Sequence, residues 1–142
     1  GFQPQLTGRD NARLSAILQG NSSEEAERAL AEIEEFAELG GSFDRPVKTY
    51  SSGMRARLGF ATSIFTHVDI LLIDEVLAVG DARFRRKASK AMENKIAGDQ
   101  TVVLVSHSAQ HIINTCSRAL LLEKGALVCD GEPTAVFERY GT

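Results

Sequence analysis

The stretch Ile70-Leu71-Leu72-Ile73-Asp74-Glu75 decides the fold: four apolar residues end in two carboxylates. A short apolar run of this kind is how a strand buried on both faces of a parallel sheet reads. Asp74 and Glu75 then fall at its C-terminal end, in the crevice where open α/β sheets bind their ligands. A hard cation such as Mg²⁺ takes one or two carboxylates with waters and phosphate oxygens, a role that suits Asp74. Side chains alternate along a strand, so Glu75 projects differently and is placed to reach an attacking water. The same pair is equally an ordinary polar start to a loop.

Downstream, residues 102–105 and 119–122 are two further short apolar runs. A helical pattern near 82–96, with Phe84, Ala88 and Ala91 on its apolar side, separates the first two runs, and another near 109–116 separates the last two. That alternation predicts α/β architecture with parallel strands. Lys124-Gly125 reads as a turn joining strand 119–123 to strand 126–130, and Pro133 suits the first turn of a last helix over 133–140.

Upstream, the pattern is helical. Thr7-x-x-Asp10 resembles a capping box, with Leu14, Ile17 and Leu18 on one face and a stop at Gly20. Ser22-x-x-Glu25 repeats the signal, and Ala26, Ala29, Leu30, Ile33, Phe36 and Ala37 follow helical spacing. Gly40-Gly41 is expected to end that helix in a left-handed cap. Glu24, Glu27, Glu32, Glu34, Glu35 and Glu38 form its solvated face. A loop over 42–50 contains Pro46, and a third helix runs from about Gly53 to Thr66 with Met54, Leu58, Ala61 and Phe65 along one side. The division is a helical part, 1–67, and an α/β part, 68–142, with one small sheet of three or four strands.

Composition narrows the function classes. The 142 residues are 43% hydrophobic and 25% charged, which describes a globular protein rather than a disordered one. A net charge of −3 gives no basic footprint for nucleic acid or anionic lipid. No apolar run approaches the roughly 18 residues of a membrane span. Cys116 and Cys129 lack C-x-x-C spacing and read as two reduced, partly buried thiols.

Three further motifs carry chemistry. Tyr50-Ser51-Ser52-Gly53-Met54 puts two hydroxyls and a glycine at a helix start. That pattern serves simple N-capping, and equally a γ-phosphate, since unpaired N–H groups and the helix dipole attract anions. Val105-Ser106-His107-Ser108 ends an apolar run in a histidine that is either structural or placed to hydrogen-bond a terminal phosphate. Gly80-Asp81 follows the carboxylate pair, with Asp81 a candidate N-cap. Arg83, Arg85, Arg86, Lys87 and Lys90 read as a solvated helix face, and His67 and His111 as ordinary surface or helix-end residues.

As an ordered set, the serine-glycine turn, the Asp-Glu pair, the Gly-Asp loop and the strand-end histidine resemble the second half of an ABC-transporter ATP-binding domain. They are similar to that family's signature, Walker B motif, D-loop and switch histidine. The usual signature is Leu-Ser-Gly-Gly-Gln; here Tyr50, Ser52 and Met54 depart from it. Lys48-Thr49 before the signature, Leu77-Ala78-Val79-Gly80-Asp81-x-x-Phe84, and Pro4-Gln5-Leu6-Thr7-Gly8-Arg9-Asp10-Asn11 resemble the branch that exports O-antigen, capsule or teichoic acid. No G-x-x-x-x-G-K-[ST] phosphate loop occurs in the sequence, and Gln3 stands too close to Pro4 to be the Q-loop glutamine. The resemblance therefore implies the C-terminal part of a P-loop NTPase (RecA-like) core preceded by a helical subdomain.

It also implies roles. Asp74 would organise Mg²⁺, Glu75 would be the general base and His107 would contact the γ-phosphate of ATP. Ser51, Ser52 and Gly53 would bind the γ-phosphate held by the opposite subunit, and Asp81 would contact that subunit. The intact protein would be a head-to-tail homodimer that closes on two ATPs and drives a transmembrane permease subunit, on the cytoplasmic face of the bacterial plasma membrane, with no role for nucleic acid. The alternatives are a soluble ABC-type ATPase outside transport and a non-catalytic module that keeps the fold.

Overall fold

A computed structural model describes residues 1–74 and 80–140. Their order is α1 (Gly8–Leu18), α2 (Ser23–Ala37), α3 (Ser52–Phe65), β1 (Ile70–Asp74), α4 (Ala82–Ile96), β2 (Thr101–Val105), α5 (Ala109–Thr115), β3 (Ala119–Glu123), β4 (Ala126–Gly131) and α6 (Pro133–Tyr140). The described residues form two compact units, 1–69 with 80–100 and 70–74 with 101–140. α4 thus groups with the three preceding helices, so the units interleave in the chain rather than dividing at 67/68.

The helical unit starts on capping residues. The Thr7 Oγ1 accepts the Asp10 N–H at the start of α1. A full capping box opens α2, with the Ser22 Oγ accepting from the Glu25 N–H while the Glu25 carboxylate accepts from the Ser22 N–H. Phe36 of α2, Phe60 of α3 and Phe84 of α4 meet as a ring cluster, with centroids 5.5 Å (Phe36–Phe84) to 6.2 Å (Phe60–Phe84) apart. Beneath and around them Leu30, Ile33, Leu58, Ala61 and Ala88 are buried.

Leu14, Ile17 and Leu18 share one face of α1, but that face does not meet the core: they are exposed, Leu18 by 77%, while Asn11, Ala12 and Ala16 are buried. Small side chains let α1 approach α2 and α3 closely, so the larger ones are turned outward. Nor does Gly40 supply the left-handed cap of α2. Glu38 does, at φ 53° and ψ 44°, and Gly40–Ser42 forms a separate 3₁₀ turn. The apolar side of α4 is Phe84, Ala88 and Met92, with Ala91 only half-buried.

In the second unit β1 and β2 pair in parallel, Ile70 opposite Thr101 through Asp74 opposite Val105. β3 and β4 form an antiparallel hairpin with an irregularity between Leu121 and Leu122. Lys124 (φ 49°) and Gly125 (φ 82°) turn it, the left-handed pair that matches strand twist. The strands make two separate two-stranded sheets, not one sheet of three or four. The antiparallel hairpin satisfies β3 locally. Strand burial is also one-sided: Leu71 and Ile73 are buried, but Ile70 is 60% and Leu72 74% exposed. Val103 and Val105 continue that exposed row. Two strands offer one covered face among the described residues, where the apolar run reads as covered on both.

Candidate functional site

Parallel pairing brings two predicted residues to one edge. Asp74 is the last residue of β1 and lies opposite Val105, the last of β2. His107 follows two residues later, exposed, in the turn to α5. Ser106 and Ser108 shape that turn: the Ser108 N–H donates to the Ser106 Oγ at 3.1 Å, and the Ser108 Oγ accepts the His111 N–H at 3.3 Å. Asp74 is exposed and sits in the row with Leu72 and Ile70. Glu75, with the rest of 75–79, lies outside the described residues. Among the described residues no group of three or more His, Cys, Asp or Glu is placed to hold a metal ion. His67 is exposed, 3.8 Å from Asp69. Cys116 and Cys129 are unpaired and half-buried, and burial pushes the Cys116 thiol up.

The serine-glycine turn is a helix start held from behind. Ser51 is the N-cap of α3, in extended conformation, and its Oγ accepts the Met54 N–H at 3.2 Å. Ser51, Ser52 and Gly53 are all exposed, at the end where first-turn N–H groups lack helical partners. Tyr50 is buried just before them. Its hydroxyl donates to the Ser42 carbonyl at 2.5 Å, its own carbonyl accepts from Arg55 at 2.6 Å, and burial raises its phenol.

The Pro4-to-Asn11 stretch explains itself in this setting. The Leu6 and Pro4 carbonyls accept the Val47 and Lys48 N–H groups, both at 2.9 Å, tying the N-terminal segment to the loop that leads into the serine-glycine turn. Gly8 lies against Tyr50, with the Phe43 carbonyl 3.0 Å from where its Cβ would stand. Arg9 lies over the Phe43 ring and pairs with Asp44 at 2.7 Å and Glu34 at 2.9 Å, and it holds the Asp44 carboxyl below the usual carboxylate range. The buried Asn11 amide donates to the Gln3, Leu6 and Thr7 carbonyls and its oxygen accepts the Gln3 N–H at 2.7 Å.

Asp81 is the N-cap of α4. Its Oδ1 accepts the Phe84 N–H at 2.9 Å and its Oδ2 accepts from Arg57 at 2.8 Å. These bonds, the cap first, hold its carboxyl below the ordinary range.

The sequence reading missed Glu38 and Arg57. Glu38 is exposed, as the solvated face requires, but it is also paired: Lys87 bonds its carboxylate at 2.9 Å, Arg83 donates to it, and Arg57 stands 3.9 Å away. Hydrogen bonding to Lys87 leads the causes that lower its carboxyl. The available signal was the spacing of Arg83 and Lys87, four apart and therefore on one helix face. Glu27 and Glu34 are likewise paired, with Arg13 and Arg9.

Known proteins place the chain in a family. The profile of the family described as "ABC transporter" matches residues 1–78, more than half of the chain. Across 140 residues, 99% of this chain, it is 44% identical to the ABC transporter protein AbcA of Aeromonas salmonicida, spanning 46% of that protein. Over the same length it is 41% identical to the teichoic acids export ATP-binding protein TagH of Enterococcus faecalis, spanning 31% of it. It is 40% identical to the O-antigen export system ATP-binding protein RfbB of Klebsiella pneumoniae, spanning 57% of it. The chain thus covers less than two thirds of each of these relatives. A solved structure titled as an ATP binding subunit of an ABC transporter superposes with a TM-score of 0.77 at 20% identity, over 99% of this chain and 59% of that one, and so shares the P-loop NTPase fold. The chain belongs to the ABC transporter family.

Proposed function

We propose that the chain is the later part of an ATP-binding, ATP-hydrolysing subunit of an ABC transporter that exports a polysaccharide or a lipid-linked glycan. The observation that carries this reading is the parallel β1–β2 edge, where Asp74 and His107 share one end of a sheet. The names of TagH and RfbB, both export ATP-binding proteins, support the glycan cargo.

In this reading Asp74 would hold Mg²⁺ at the strand end, since a hard cation that takes one or two carboxylates suits a single exposed one. When bound, Mg²⁺ neutralises charge on the phosphates. Glu75 accepts the proton of the attacking water, and His107 hydrogen-bonds the γ-phosphate and holds that water in line. Ser51, Ser52 and Gly53 receive the γ-phosphate of the nucleotide on an opposite copy, with N–H groups and the α3 dipole directed at the anion. Asp81 meets that copy near its α4 cap. Two copies facing head to tail then close on two ATPs, exclude water, and pass the motion to a membrane-embedded permease at the cytoplasmic surface. The exposed row Ile70, Leu72, Val103 and Val105 packs, in this reading, against the length of the relatives that the chain does not span. Among the described residues no helix is long and apolar enough to cross a membrane.

Steady-state ATP hydrolysis by the complete subunit tests the assignment. Glu75→Gln is expected to lower the rate by about 10²–10⁴-fold, the usual contribution of general-base catalysis. An unchanged rate refutes Glu75 as the base.

A further inference from the structure

Arg57 lies in the second turn of α3, the helix whose start carries Ser51, Ser52 and Gly53. Its guanidinium rests 4.9 Å from the centre of the Phe84 ring. One nitrogen donates to Asp81 Oδ2 at 2.8 Å, and another stands 3.9 Å from Glu38 Oε2. Asp81 spends its other oxygen on the α4 cap, so two helices fix its carboxylate. Glu38 is anchored in turn by Lys87 and Arg83, and it is held in the left-handed conformation that non-glycine residues rarely adopt. A flat guanidinium resting on a ring can address two carboxylates in one fixed orientation; an ammonium cannot.

We propose that Arg57 is a positioning residue that locks Asp81 to the α3 helix, so that the signature turn and the Asp81 carboxylate of one subunit move as one body when the nucleotide-bound dimer closes. The proposal rests on the reading of the chain as an ATPase subunit. Arg57 lies six positions beyond Ser51, about 9 Å along a stiff helix, so displacement of either end is carried to the other. Partly exposed ion pairs contribute little to stability, so the cost of losing this one falls on catalysis. The rings of Phe36, Phe60 and Phe84 pack without it.

The experiment measures kcat and KM for ATP in the complete subunit, with thermal unfolding alongside. Arg57→Ala should lower kcat by about 10- to 100-fold with KM held within about twofold, the pattern of a misplaced contact made at the transition state. Arg57→Lys should restore less than half of that loss, expressed as the logarithm of the rate. In a cycle with Asp81→Asn, the double variant should be no slower than the worse single one, because both break one link. A kcat loss below about threefold, full rescue by lysine, or two effects that multiply as independent sites do would overturn the proposal. If Arg57→Ala does not fold, Glu38→Gln removes the second anchor of the same guanidinium and is judged by the same kcat threshold and the same cycle. An unmodified subunit that hydrolyses no ATP sinks the functional reading instead.

Discussion

The two units of this chain solve different problems. The helical unit closes on itself: its rings stack, its helix starts are capped, and its surface carboxylates are matched by arginines and lysines from neighbouring helices. The strand unit leaves apolar rows uncovered on both of its small sheets, including Leu72, Val103, Leu120 and Leu127. The serine-glycine turn therefore belongs to a unit that is packed within the described residues. The Asp74 edge belongs to one whose apolar surface still has area to bury.

Core truncation is the strongest way to break that contrast. Phe84 is 1% exposed, so Phe84→Ala should cost about 3–5 kcal/mol in denaturant unfolding. Leu72→Ala should change the stability of the 142-residue chain by no more than about 0.5 kcal/mol, as at an ordinary surface site. In a protein of the relatives' length the same Leu72→Ala should cost about 2–5 kcal/mol, if the row is covered there. Equal costs for Leu72→Ala in the two settings would show that nothing packs on the row.

A smaller effect separates two glycines within the helical unit. An added methyl at Gly8 would land on the Tyr50 hydroxyl, which is tethered to Ser42, and would press on the Phe43 carbonyl at 3.0 Å. Gly8→Ala should therefore destabilise by about 1–3 kcal/mol. At Gly53 the nearest atom to such a methyl is the Ser51 Oγ at 3.9 Å, so Gly53→Ala should shift unfolding by no more than about 0.5 kcal/mol. Comparable losses at both would mean that the serine-glycine turn is packed as tightly as its support.

The sequence was most legible where chemistry sits at element ends. Thr7, Ser22, Ser51, Asp81 and Ser108 each accept the N–H three residues on, as their residue types foretell. Lys124-Gly125 marks its hairpin, and the Ile70-to-Asp74 run marks β1. Asp74 and Ser51 to Gly53 stand at the ends of regular elements and His107 two residues beyond one, which is why local sequence rules could single them out. What stayed hidden depends on neighbours distant in sequence. A glutamate takes the left-handed cap at position 38 where three cations from α3 and α4 converge on it, and no local rule foretells that. Leu14, Ile17 and Leu18 follow helical spacing, yet close approach of α1 to its neighbours favours the alanine face. An apolar run likewise cannot say which of its two faces finds cover.

The central claim is that nucleotide is held between the acidic sheet edge of one copy and the signature turn of another. Sedimentation of the complete Glu75→Gln subunit with ATP and Mg²⁺ tests it most directly. The account predicts a dimer that forms only with ATP and that is lost when Gly53→Asp places a carboxylate against the γ-phosphate. A Glu75→Gln subunit that binds ATP yet remains a monomer, or a dimer indifferent to Gly53→Asp, would contradict it.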